Sequence, residues 1–187
     1  MRKLGWLSQL FMLIVLASML SGCNNADEAD IKIFMMPKTT ISSEIEEKLE
    51  QHLNKKLDGK FTVDVVTSVM YSPHKLFVEY AAGGNSIMMV PKEDMQKMSL
   101  QGGHVPLEPF FNKDTFREGY IDGAIQEQVG EKFIEKKGKH LFALPTSKLP
   151  VIAQVGIEEK DWFAAVHVGT PSIDKSVAVL KMLAAEQ

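Results

Sequence analysis

Three times between residues 31 and 100 a short apolar run is followed by an amphipathic segment, and this alternation constrains the fold more than any other feature of the chain. Ile31-Lys32-Ile33-Phe34-Met35-Met36 alternates as a strand does and is stopped by Pro37. Apolar residues then recur at Ile45, Leu49, Leu53 and Leu57, the spacing of one helical face. Ser43 and Glu46 have the spacing of a capping box, acids crowd the first turn and Lys55 and Lys56 the last, and Gly59 ends the helix. Phe61 to Val66 is rich in β-branched residues and predicts a second strand. Ser72-Pro73 opens a second helix with one apolar face (Leu76, Phe77, Tyr80, Ala81), closed by Gly83-Gly84. Ser86 to Val90 is almost wholly apolar, as a strand covered on both faces is. A third helix is expected from Lys92 to Leu100, ended by Gly102-Gly103. Strand and helix in strict alternation predict an α/β fold, a mostly parallel sheet flanked by helices with right-handed crossovers.

The rest of the chain is less regular. Two prolines make Val105 to Phe110 an extended surface segment. Ile121, Ile125 and Val129 fall every fourth residue and predict a helix from Thr115 to Val129, running on towards Glu135. Leu141 to Pro145, Pro150 to Val155 and Trp162 to Val168 read as strands. Ser172 caps a final helix with Val177, Leu180, Leu183 and Ala184 inside.

Ahead of the first strand lie a basic start (Arg2, Lys3), an apolar run from Leu10 to Leu20, and then Leu20-Ser21-Gly22-Cys23. Basic start, short apolar run and small residues describe a secretory signal peptide. The cysteine directly after Leu-Ser-Gly makes it similar to a bacterial lipoprotein signal, in which lipid is attached to the Cys23 sulfur before cleavage. The run is shorter than the ~20 residues that span a bilayer, whereas the two chains of a diacylglyceryl group anchor stably. The expected organisation is a signal peptide over residues 1–22, a lipidated polar tether over 23–30 and one domain over 31–187. The domain would sit on the outer face of the cell membrane.

The formal net charge of −3 becomes more negative once Arg2 and Lys3 are removed, which gives the protein no electrostatic reason to bind nucleic acid. Cys23 is the only cysteine, so no disulfide supports the fold. Neither a G-x-S-x-G nucleophile turn nor a glycine-rich phosphate loop occurs. His52, His74, His104, His140 and His167 are scattered without metal-ligand spacing, and the pairs Glu46-Glu47 and Glu158-Glu159 are expected on exposed faces. The expectation is a non-enzymatic protein with neither metal nor cofactor. Lys132, Lys136, Lys137 and Lys139 form a basic run that reads either as a solvated helix end or as a contact for anionic lipid or wall polymer.

Topology nominates a ligand site. In open α/β sheets ligands sit beyond the carboxyl ends of the parallel strands, near the point where strand order reverses. Those ends are Pro37-Lys38-Thr39-Thr40, Pro91-Lys92-Glu93 and Pro145-Thr146-Ser147. Thr39, Thr40, Lys92, Thr146 and Ser147 are the candidate contacts. Lys92 would pair with a carboxylate or sugar acid, and the hydroxyls with neutral sugar groups. The same turns also fit a plain structural role.

Several segments, in order, resemble the extracellular solute-binding proteins of ABC importers. They are Lys75 to Gly84 with its small-residue end, the buried strand Ser86 to Val90, Gln101-Gly102-Gly103-His104-Val105-Pro106-Leu107-Glu108-Pro109-Phe110, Gly138-Lys139-His140-Leu141-Phe142-Ala143-Leu144-Pro145, and the helix Ser172 to Leu183. The resemblance implies one lobe of the periplasmic-binding-protein type 2 fold, since the length suits a single lobe. It implies a reduced or accessory solute-binding subunit of an uptake system, partnered by a transporter permease. The alternative is an envelope lipoprotein that docks another envelope protein through the same lobe and binds no small molecule.

Overall fold

The computed structural model describes residues 28–129, 132–159 and 161–185; the signal-like segment and Cys23 lie outside the described residues. In chain order the elements are β1 (Ile31–Met35), α1 (Ser43–Leu57), β2 (Val63–Thr67), α2 (Pro73–Ala82), β3 (Ile87–Pro91) and α3 (Lys92–Leu100). There follow β4 (Tyr120–Val129), β5 (Lys132–Leu141), β6 (Ala143–Pro145), α4 (Pro150–Gln154), β7 (Trp162–Val166) and α5 (Ile173–Ala184).

The sheet is mixed rather than mostly parallel. Its order is β2-β1-β3-β7-β6. β1 pairs in parallel with β2 and β3, while β7 runs antiparallel to both β3 and β6. β6 therefore points the same way as β3, and the carboxyl ends of β1, β3 and β6 share one end of the sheet. Both faces are covered. Ile33, Met35, Ile87, Met89, Trp162 and Ala164 pack towards α1 and α5; Phe34, Met36, Met88, Val90, Phe163 and Ala165 pack towards α2 and α3. This two-sided burial is why β3 reads as an unbroken apolar run.

Local chemistry explains most boundaries. Ser72 and Ser172 each accept the backbone N–H three residues on, as N-caps do. Helix α1 differs. It starts at Ser43 behind a Ser42 whose side chain makes no capping bond, and the Glu46 carboxylate reaches to β2 instead of closing a capping box. β2 is a sheet edge, and its outward backbone is met by one stripe of α1. Glu46 accepts from Thr67 N, Glu50 from Val65 N, and Asn54 both accepts from Val63 N and donates to Val63 O.

Residues 115–135 do not form the expected helix. β4 and β5 are a separate antiparallel ribbon paired from Tyr120↔Leu141 to Val129↔Lys132. Four-residue spacing fits a strand as well, because residues an even number apart share a strand face. The ribbon and the turn leading into it lie close against the body at two glycines: a Cβ on Gly119, just before β4, would sit 1.7 Å from the Ala143 carbonyl oxygen, and one on Gly123 2.2 Å from the Phe142 ring. Pro150–Gln154 is a short helix, not a strand, with proline at its first turn. Among the described residues, no helix is long and apolar enough to cross a membrane.

Candidate functional site

Strand order reverses at β1. The crossover through α1 carries the chain to β2 on one side, and the crossover through α2 carries it to β3 on the other. Just beyond the carboxyl ends of β1 and β3 lies a cleft of about 440 Å³ lined by Lys38, Pro91, Lys92, Glu93, Glu158, Glu159, Asp161 and Trp162. Its floor is held by the ladder pair Pro91↔Trp162 and by Lys92 N donating to Asp161 O at 2.9 Å. Lys92 Nζ stands 6.0 Å from the Phe163 ring centroid. Lys38 Nζ stands 5.9 Å from the ring of Tyr71, whose hydroxyl donates to Asp94 Oδ2 at 2.7 Å. Burial, reinforced by that carboxylate, pushes the Tyr71 phenol up to about 12 and keeps it a donor.

The cleft's charge is mixed and leans acidic, with two ammonium groups facing four carboxylates among its lining residues. Such a surface suits a ligand that carries both signs, or hydroxyls able to bond with either. Trp162 is 1% exposed, and its indole N–H has no hydrogen-bond partner. A buried donor left unpaired costs stability.

The three nominated turns share this end of the sheet, but their residues fare differently. Lys92 lines the cleft. Thr39 is exposed, and both its backbone N–H (3.1 Å) and its hydroxyl donate to Glu159 Oε1, tying the turn after β1 to the segment before β7. Thr146 is 3% exposed, and its hydroxyl donates to Trp162 O at 3.1 Å, so it fixes the strand ends and is turned away from solvent. Thr40 and Ser147 are exposed beside the cleft without lining it. Sequence reasoning missed Glu158, Glu159, Asp161 and Trp162. The acid pair lies in the segment entering the reversed strand, and only the position of β7 brings it to the cleft.

A second polar cluster lies at the other end of the sheet. Tyr80 OH is 2.7 Å from His104 Nε2, Ser99 Oγ is 2.9 Å from His104 Nδ1, and His104 bridges His167 backbone to backbone. All four side chains are buried. Burial holds the His104 imidazole down at about 3, helped by the neighbouring His167, and raises the Tyr80 phenol. The His104 imidazole is thus held neutral and bonded on both nitrogens inside the packed end of the sheet. Among the described residues no group of three or more His, Cys, Asp or Glu side chains is placed to hold a metal ion. No protein-family model matches the chain, and no curated protein matches it in sequence.

Proposed function

We propose that the protein is a lipid-anchored lipoprotein of the outer face of the cell membrane, acting as a reduced or accessory solute-binding subunit of an ABC-type uptake system. The observation that carries the solute-binding part is the mixed-charge cleft at the reversal of strand order, where α/β sheets bind ligands. The anchor rests on the Leu20-Ser21-Gly22-Cys23 pattern. Further support comes from the arrangement of the ends. The described chain begins at Glu28 beside the amino ends of the strands, so a tether there leaves the cleft free on the far side.

A single lobe covers only one side of a ligand, whereas enclosed pockets bury ~70–90% of it. Binding is therefore weak, no tighter than about micromolar unless a second protein completes the cleft. Lys38 and Lys92 receive the ligand's acidic or hydroxyl groups, and Glu93, Glu158 and Asp161 its donors. Calorimetric titration with amino acids, sugars, sugar acids and short peptides tests this. One class binds, and Lys92→Ala and Asp161→Asn weaken it. Absence of binding by every class, or binding indifferent to both substitutions, removes the solute-binding reading. Mass spectrometry of Cys23 and of a Cys23→Ser variant tests the anchor separately.

One observation favours the second reading, an envelope lipoprotein docking a protein partner. Val69 is 85% and Met70 70% exposed just beyond the carboxyl end of β2, at the same end as the cleft. Val69→Glu with Met70→Glu would abolish such docking while leaving solute binding intact.

A further inference from the structure

Phe77, Leu100, Val168 and Ile173 are large apolar side chains left between 41% and 56% exposed. They gather at the sheet end opposite the cleft. Phe77 and Val168 border one groove, Val168 and Ile173 border the next, and Gly102 and Gln126 belong to both. Leu100 closes α3 immediately before that shared turn. Exposed apolar side chains grouped at one end of a fold in this way mark a contact.

The entry of the chain says what the contact is. Glu28 and Ala29 share a depression with Gly84, Gly169 and Pro171, directly after Val168. Cys23 precedes Glu28 by five residues, and a chain of that length spans at most about 17 Å even when fully extended. A lipid on Cys23 therefore keeps this end of the fold within reach of the bilayer. Several acids at this end are paired, while Asp174, beside Ile173, is exposed at the first turn of α5. Asp30 is paired with Lys175, Glu28 with Lys32 at 3.7 Å and Glu127 with Lys136 at 3.8 Å, and Glu79 accepts from Asn85.

We propose that this end of the fold rests on the lipid surface, with Phe77, Leu100, Val168 and Ile173 at the boundary between headgroups and acyl chains. The proposal rests on the lipid-anchor reading of Cys23. It adds a second contact to the anchor, because apolar area buried at the interface strengthens attachment, and it fixes orientation as well as location. The tether brings the domain to the membrane, and the apolar surface stops it from tumbling there.

Labelling distinguishes this from its alternatives. Because Cys23 is the only cysteine and a diacylglyceryl thioether would block its sulfur, an introduced cysteine is a unique thiol in the lipidated protein. Bimane is placed on Leu100→Cys, Val168→Cys and, at the far end, Val69→Cys in the full-length lipoprotein, which is then reconstituted in phosphatidylcholine–phosphatidylglycerol vesicles with brominated acyl chains. The expected result is loss of emission at 100 and 168 and none at 69. Equal access of aqueous iodide to all three labels, in protein whose mass shows lipid on Cys23, overturns the docking and leaves the anchor standing. Shielding from iodide at 100 and 168 without quenching by brominated lipid also overturns it, assigning the surface to a second copy or another protein. A Cys23 that carries no lipid removes the anchor reading and this inference together.

Discussion

Glu46 Oε2 accepts the backbone N–H of Thr67 at 2.8 Å, so a helix side chain takes the place of a neighbouring strand. Glu50 and Asn54 repeat the arrangement on Val65 and Val63. The match is geometric: four residues of helix rise about 6 Å, and two residues of strand advance about 6.6 Å. Helix and edge run in opposite directions, so three side chains on one stripe meet three outward N–H groups in turn. An open edge that invites pairing with another chain is closed without another strand.

Removing these contacts reopens the edge. Glu46→Ala and Asn54→Ala are each expected to cost about 1 kcal/mol in urea unfolding, and to speed hydrogen exchange at Thr67 and Val63 respectively. Unchanged exchange at those two amides would show that the contacts do not protect the edge.

Leu49 is fully buried between α1 and the sheet. Leu49→Ala should leave a cavity and destabilise by about 2–5 kcal/mol. A loss well under 1 kcal/mol would mean that the α1 face is loosely packed.

Acid should weaken the fold through His104. Its folded value is held down near 3, whereas the unfolded side chain titrates near 6.5, so below about pH 6.5 the unfolded chain binds the extra proton. The stability that His104 contributes is complete above about 6.5 and is lost progressively as pH falls towards 3. The limiting slope is about 1.4 kcal/mol per pH unit. NMR of the His104 ring should show no titration between pH 7 and 4.5, and His104→Asn should flatten the pH dependence of unfolding over that range. A ring that titrates near 6.5 in the folded protein would contradict the burial.

Thr146→Val separates packing from binding. The hydroxyl bonds Trp162 O inside the protein, so its loss should cost about 1 kcal/mol of stability and leave ligand contacts in place. A change in affinity without a change in stability would return Thr146 to the ligand site.

Gly123→Ala should push the β4–β5 ribbon off the body, since the new Cβ would overlap the Phe142 ring. Limited proteolysis should then cut between residues 124 and 137 while the sheet domain survives. An uncut ribbon at wild-type stability would show that Phe142 moves aside.

What the sequence makes legible follows from how local each signal is. Leu49, Leu53 and Leu57 fix α1, and Ser172 fixes the start of α5, because face and cap are written in adjacent residues. The ribbon is hidden because Ile121, Ile125 and Val129 satisfy helix and strand spacing alike. The direction of β7 and the position of Glu159 against Thr39 depend on which strands become neighbours, and nothing in residues 157–162 records that.

β7 is the last strand in the sequence yet lies inside the sheet, and β6 touches the sheet only through it. Until residues 162–166 arrive, β3 keeps a bare hydrogen-bonding edge made of Ile87, Met88, Met89 and Val90, and β6 has nothing to join. Closure depends on bringing together segments more than 70 positions apart in the chain, a late and slow step for contacts of this range. From the synthesis of residue 91 to that of residue 166, about two-fifths of its length, the chain would carry an apolar, unpaired strand of the kind that aggregates or recruits a chaperone. Mutations in Trp162-Phe163-Ala164-Ala165-Val166 should therefore lower yield through misassembly out of proportion to the stability they remove from chains that do fold.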